Sequence, residues 1–123
     1  MTTRVDGEVA TLQVVERFNA AVDAKDVDAL RAAITDDCVF ESPRPPDGRR
    51  YVGEEMVDVF AEFFAIEGEA SFETEEIFVA GDRAVVHWLH RWRRPGDNGH
   101  VRGIDVFTVR GDRIAAKLSY VKG

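Results

Sequence analysis

The chain has 123 residues, with 16 Lys or Arg against 23 Asp or Glu and a formal charge of −7, a balance that argues against nucleic acid and anionic membranes as partners. At 45% hydrophobic and 32% charged, it is predicted to fold as one domain over 1–123 rather than stay disordered. A lone cysteine, Cys38, rules out an intrachain disulfide framework; with no signal-like apolar run at the N-terminus and no apolar stretch near ~20 residues, a soluble cytoplasmic protein is expected.

Residues 8–23 carry Leu12, Val15, Phe18 and Val22 at helical spacing, with Glu16 and Asp23 elsewhere on the surface. Asp26 is placed to cap a short second helix over 27–34 that buries Leu30, Ala33 and Ile34. Thr35-Asp36-Asp37 reads as a turn and 38–42 as a short strand. Pro43, Pro45, Pro46 and Gly48 make the next segment a loop. A third helix is predicted from about Gly53, with Glu54 and Glu55 complementing its dipole and Met56, Val57, Phe60, Phe63 and Phe64 forming a wide apolar face. Gly68 is its expected stop.

From there the chain reads as strands at about 70–80, 83–94, 100–110 and 113–122. The turns are Gly81-Asp82, the five residues 95–99, and Gly111-Asp112, so the strands form an antiparallel meander. Helices first and a sheet second give an α+β order with three N-terminal helices covering one sheet face. A strongly curved sheet over helices leaves room for a mostly apolar pocket, and Phe18, Phe40, Phe60, Phe63, Phe64 and Phe107 supply its aromatic lining.

The last strands hold the residue of most interest. Alternation puts Val101, Gly103, Asp105, Phe107 and Val109 on one face. An acid on an apolar face costs several kcal/mol, on the order of a lost hydrogen bond or more, unless it is neutralised or paired. Asp105 therefore reads as a general acid or base, as an oxyanion donor, or as a structural acid partnered by an arginine or Lys117.

In order and spacing, AVDAKDVDAL, ITDDCVFESP, RYVGEEMVDVF and GIDVFTVRGDRIAAKLSY resemble the nuclear transport factor two-like superfamily. Within it the chain looks most like SnoaL-like polyketide cyclases and ketosteroid isomerases, over nearly its whole length. The resemblance implies a cone-shaped, cystatin-like α+β barrel and a cofactor-free, metal-free enzyme acting on a hydrophobic ketone, enone or polyketide-like molecule; that fold also hosts non-catalytic binding modules. Asp105 falls where ketosteroid isomerases place a buried acid, held neutral by an apolar site. Their base position is Ser42 here, with Glu41 on the opposite face, and their tyrosine position is Phe18. Two of three isomerase groups are thus replaced, which argues against a steroid isomerase.

The family register turns Lys117, Ser119 and Val121 towards the cavity, where Lys117 pairs with Asp105 or holds an anion; otherwise it is a solvated edge-strand lysine. It also turns His87, Leu89 and Arg91 inward and Trp88, His90 and Trp92 outward, with a one-residue slip swapping the faces. His87 then becomes a candidate proton shuttle, and Trp88 and Trp92 with Ile104 and Val106 an apolar outer face for a homodimer. The candidate catalytic set is Asp105, His87 and Lys117; the substrate-binding set is Phe18, Phe40, Ser42, Phe60, Phe64, Phe107 and Ser119.

His87 and His90 lie three apart on a strand and so on opposite faces, which excludes one shared zinc. The same spacing separates Arg102 from Asp105 and weakens an epoxide hydrolase reading, which needs an Asp–Arg–Asp cluster. The stretch His90-Arg91-Trp92-Arg93-Arg94 reads as a solvated strand end rather than a nucleic-acid stripe, and Arg110-Gly111-Asp112 as a hairpin turn rather than an adhesion signal.

Overall fold

The computed structural model describes residues 4–66 and 68–122. Three helices, α1 (Arg4–Asp23), α2 (Val27–Ala32) and α3 (Glu54–Phe64), pack on one face of a sheet of six strands. The strands are β1 (Ile34–Glu41), β2 (Arg50–Val52), β3 (Glu69–Ala80), β4 (Arg83–Arg94), β5 (Asp97–Arg110) and β6 (Arg113–Val121), in the order β2-β1-β6-β5-β4-β3. The sheet curves without closing: β2 and β3 are its free edges, so the expected barrel is an open one.

On α1, Thr11, Val14, Val15, Phe18 and Ala21 are buried, a stripe at three- and four-residue spacing that faces the sheet. Asp26 caps α2 as expected, accepting a hydrogen bond from the Ala29 amide at 3.0 Å. The helix is shorter than its apolar pattern suggested. Ile34 leaves it to open β1, where it pairs with Ile114. Thr35-Asp36-Asp37 is likewise strand rather than turn; the β1–β6 register slips between Ile34 and Val39, which blurs the alternation there.

β1 runs parallel to β6, while the other pairs are antiparallel. The short β2 pairs with β1 across the proline loop. At the start of α3, Gly53 sits at φ 59°, and a Cβ there would run into the Asp36 carbonyl oxygen. α3 ends at Phe64, ahead of Gly68, which instead leads into β3.

Between helices and sheet lies the core, with Val15, Phe18, Leu30, Met56, Phe107 and Ile114 fully buried. Each such side chain contributes on the order of 1.5–3 kcal/mol. Phe18 is the hub: its ring meets Phe60 at 6.1 Å and Phe107 at 5.6 Å, both edge-on.

The β4–β5 hairpin corrects the face assignment on β4. The family register points His87 inward, as would a five-residue turn over 95–99 that pairs Arg94 with His100. The turn is two residues, Pro95-Gly96, and Arg94 pairs with Asp97. That difference changes the parity of every pair along the hairpin. Val86 now faces Asp105, Trp88 faces Gly103 and His90 faces Val101, so Val86, Trp88 and His90 point inward. His87 is exposed on the outer face, its Nδ1 4.0 Å from Glu76. Trp92 shares the inner side of β4, 5.4 Å from the His90 ring. The outer face therefore lacks both tryptophans; Phe78 and Tyr120 are its most exposed large apolar side chains.

Candidate active site

The bend of the sheet and the two long helices enclose a cavity of about 320 Å³. α1 contributes Phe18, Asn19, Val22 and Asp23, and α3 contributes Val59, Phe60 and Phe63. The inner faces of β3 and β4 supply Phe72, Thr74, Val86, Trp88 and His90. Phe40, Ser42 and Pro43 close one side, and Val101, Asp105, Lys117, Ser119 and Val121 form the floor on β5 and β6.

The floor holds a buried polar triad. Asp105 and Ser119 face each other in the β5–β6 ladder, and Lys117 lies two residues before Ser119 on the same side of its strand. Ser119 Oγ donates to Asp105 Oδ1 at 2.6 Å. Lys117 Nζ donates to Ser119 Oγ at 2.8 Å and to Asp105 Oδ1 at 3.2 Å. All three residues are more than nine-tenths buried. The ammonium also lies 4.7 Å from the Phe40 ring centroid and 5.6 Å from that of Phe60, so aromatic faces share its charge with the carboxylate. A buried ion pair of this kind persists because its partners satisfy one another; removing one costs about 3–5 kcal/mol. Among the described residues nothing hydrogen-bonds Asp105 Oδ2, which leaves that oxygen open to the cavity.

The cavity gathers Asp105, Lys117 and Ser119 with Phe18, Phe40, Phe60 and Ser42. Ser42 Oγ is already engaged by the Arg49 amide at 3.0 Å, which closes the proline loop. Phe107 supports the site from beneath, fully buried against Phe18. Phe64 packs on Phe60 and Phe63 behind the lining. His87 lies on the other side of the sheet and has no path to the triad.

Sequence reasoning missed Trp88, His90, Phe72, Asn19 and Asp23 as lining residues. The two-residue turn at Pro95-Gly96 was the signal that places the first two. Burial lowers the basicity of His90, and Arg94 adds to this against the opposing pull of the Ser71 carbonyl. Asp23, at the α1 side of the cavity, has its carboxyl pushed up by burial. Cys38 lies in the core, its thiol pushed up to about 12, chiefly by burial. An epoxide hydrolase cluster is not assembled: Arg102 pairs with Glu75 on the outer face, and no arginine lines the cavity among the described residues. No group of three or more His, Cys, Asp or Glu converges as a metal site among those residues, and no described helix is long and apolar enough to cross a membrane.

A SnoaL-like domain matches residues 15–117. No curated protein matches the chain. An NTF2-like protein of unknown function from Mesorhizobium loti is 34% identical and superposes with a TM-score of 0.82, covering 100% of this chain and 97% of its own. An LEH-like epoxide hydrolase of M. tuberculosis is 19% identical, TM-score 0.80, covering 94% and 84%. A candidate SnoaL-like polyketide cyclase of Shewanella putrefaciens CN-32 is 15% identical, TM-score 0.79, covering 90% and 88%. At such identities the last two speak to the fold alone.

Proposed function

Because the chain belongs to the SnoaL-like domain family, whose fold carries several chemistries, we propose that its cavity performs acid/base catalysis on a hydrophobic ketone, enone or polyketide-like molecule without a cofactor. One observation carries this reading: a carboxylate, a hydroxyl and an ammonium meet on the floor of a mostly apolar cavity.

The reaction class is proton abstraction next to a carbonyl. Asp105 is the base: Oδ2 takes the proton from the carbon, while Ser119 and Lys117 hold Oδ1. An ammonium has three donors and Lys117 uses two on the protein. The third stabilises the enolate oxygen as charge builds there. The enolate then takes the proton back at another carbon, an isomerisation, or attacks a second carbonyl, a cyclisation. A hydrolytic variant lacks its arginine within the described lining.

The test is a panel of hydrophobic enones, aryl ketones and linear diketones, followed by NMR. The wild type is expected to convert at least one of them. Asp105→Asn, checked as folded by circular dichroism, is expected to lose about 10²–10⁴-fold in rate. A binding module is the second reading, favoured by Phe18 and Ser42 standing where the isomerase groups fall and by the engagement of Lys117 with Asp105 and Ser119. In that case panel members bind and none is converted at any pH.

We also propose that two copies associate through the outer sheet face, where the half-exposed Phe78 and Tyr120 accompany Ile104, Val106 and Leu118. Sedimentation should show a dimer that Tyr120→Glu dissociates; a wild-type monomer at micromolar concentration would refute the association.

A further inference from the structure

The triad is not the only polar feature of the cavity. On β4, Trp88 and His90 face it from the inner side, both more than nine-tenths buried. Gly103 makes room for the indole: a Cβ at that position would lie 2.5 Å from Trp88 Cζ2. Trp88 Nε1–H is nevertheless buried with no hydrogen-bond partner among the described residues. A donor left in that state costs the fold its lost hydration, and native structures carry few of them.

His90 is held by its neighbours. Its ring stacks on Phe72 at 4.2 Å and meets Phe63 at 5.9 Å and Trp92 at 5.4 Å. Nδ1 lies 3.1 Å from the Ser71 carbonyl oxygen, an acceptor, so Nδ1 carries the hydrogen and Nε2 is a bare acceptor. No residue among those described bonds Nε2. The cavity wall thus presents one fixed acceptor, His90 Nε2, two residues along the same face of the strand from an indole whose N–H is enclosed without a partner among the described residues.

We propose that His90 forms a second polar subsite, which binds a hydroxyl group at the far end of the ligand from the carbonyl held at the triad. His90 Nε2 accepts the hydroxyl hydrogen, and the neighbouring Trp88 ring supplies apolar wall. The assignment rests on the reading of the cavity as a small-molecule site. The register sets its length. Asp105 faces Val86 and His90 lies four residues further along β4, about 13 Å of strand. The preferred ligand is therefore an elongated, apolar hydroxyketone with its two oxygens at opposite ends. Compact ketones fill one subsite only.

Two probes separate the subsites: 4-phenylphenol, with one hydroxyl, and 4,4′-dihydroxybiphenyl, with one at each end. Calorimetry should find the second bound about three- to tenfold tighter by the wild type, beyond the statistical factor of about two from its symmetry. In His90→Phe the ratio should fall to that statistical factor. The direct readout is the ¹⁵N resonance of His90 Nε2 in the wild type, which should move with the dihydroxy probe and stay in place with biphenyl, which has no hydroxyl; it needs no variant to fold. Equal affinities, an unchanged ratio in His90→Phe, or a silent Nε2 would overturn the second subsite while leaving the cavity reading intact. Binding of neither probe would overturn both.

Discussion

The two ends of the cavity treat their polar groups differently. On the floor, Asp105, Ser119 and Lys117 satisfy one another within 3.2 Å. On the β4 wall, Trp88 Nε1 has no partner and His90 Nε2 none among the described residues. Groups that pair with one another support the fold, and deleting one leaves a stranded charge. Groups left unpaired cost the fold, and of these two only His90 Nε2 can recover that cost from a ligand in the cavity. The floor should therefore be fragile to substitution and the wall tolerant.

The sharpest way to break this contrast is Lys117→Met. It strands a buried carboxylate and should cost about 3–5 kcal/mol in denaturant unfolding. Adding Asp105→Leu should recover most of the loss, since a well-packed apolar pair replaces an ion pair at little cost. A double variant as unstable as the single would show that the triad does not act as a closed unit.

Gly103→Ala comes next. The added methyl meets Trp88 and the Tyr120 carbonyl oxygen, and should cost about 1–3 kcal/mol while shifting the indole. Near-UV circular dichroism would report that shift. Trp88→Phe should change stability by less than about 1.5 kcal/mol, because the lost volume is offset by removing an unpaired donor. A larger loss would mean that the indole N–H has a partner in solution.

The smallest effect concerns pH. Burial disfavours protonated His90 in the fold, so below about pH 6.5 the unfolded chain binds this proton first. The stability tied to His90 is complete above that pH and is lost as pH falls, until the folded histidine is itself protonated. In His90→Phe that part of the pH dependence should be missing from unfolding curves recorded between pH 7 and pH 5.

What the sequence made legible follows from how local each signal is. The β5–β6 hairpin has a two-residue turn at Gly111-Asp112, which alone would set Asp105 opposite Leu118. A bulge between Thr108 and Val109 shifts the register by one and sets it opposite Ser119, so alternation marked Asp105 but only the family resemblance turned Lys117 and Ser119 inward. On β4 the family register turned His87 inward and Trp88 outward, with a one-residue slip left open; the two-residue turn at Pro95-Gly96, read as five residues, settles the slip the other way. β1 lies parallel to β6, a pairing between distant segments that leaves no mark on either strand's own pattern. Its Asp36 and Asp37 are exposed strand residues that looked like a turn because their polarity reflects solvent on that side, not backbone shape. The aromatic supply was legible as a set, but which rings line the cavity and which support it, as Phe107 and Phe64 do, depends on packing that only the folded sheet defines.

The central claim is that Asp105 removes a proton next to a carbonyl, and it can be tested without knowing the natural substrate. In deuterated buffer, proton NMR can follow deuterium uptake at the α-carbons of 2-tetralone, a small hydrophobic ketone. The expected result is uptake at least about 100-fold faster with the wild type than in buffer, and close to the buffer rate with folded Asp105→Asn. Equal uptake by wild type and Asp105→Asn, or none above buffer by the wild type, would contradict the claim.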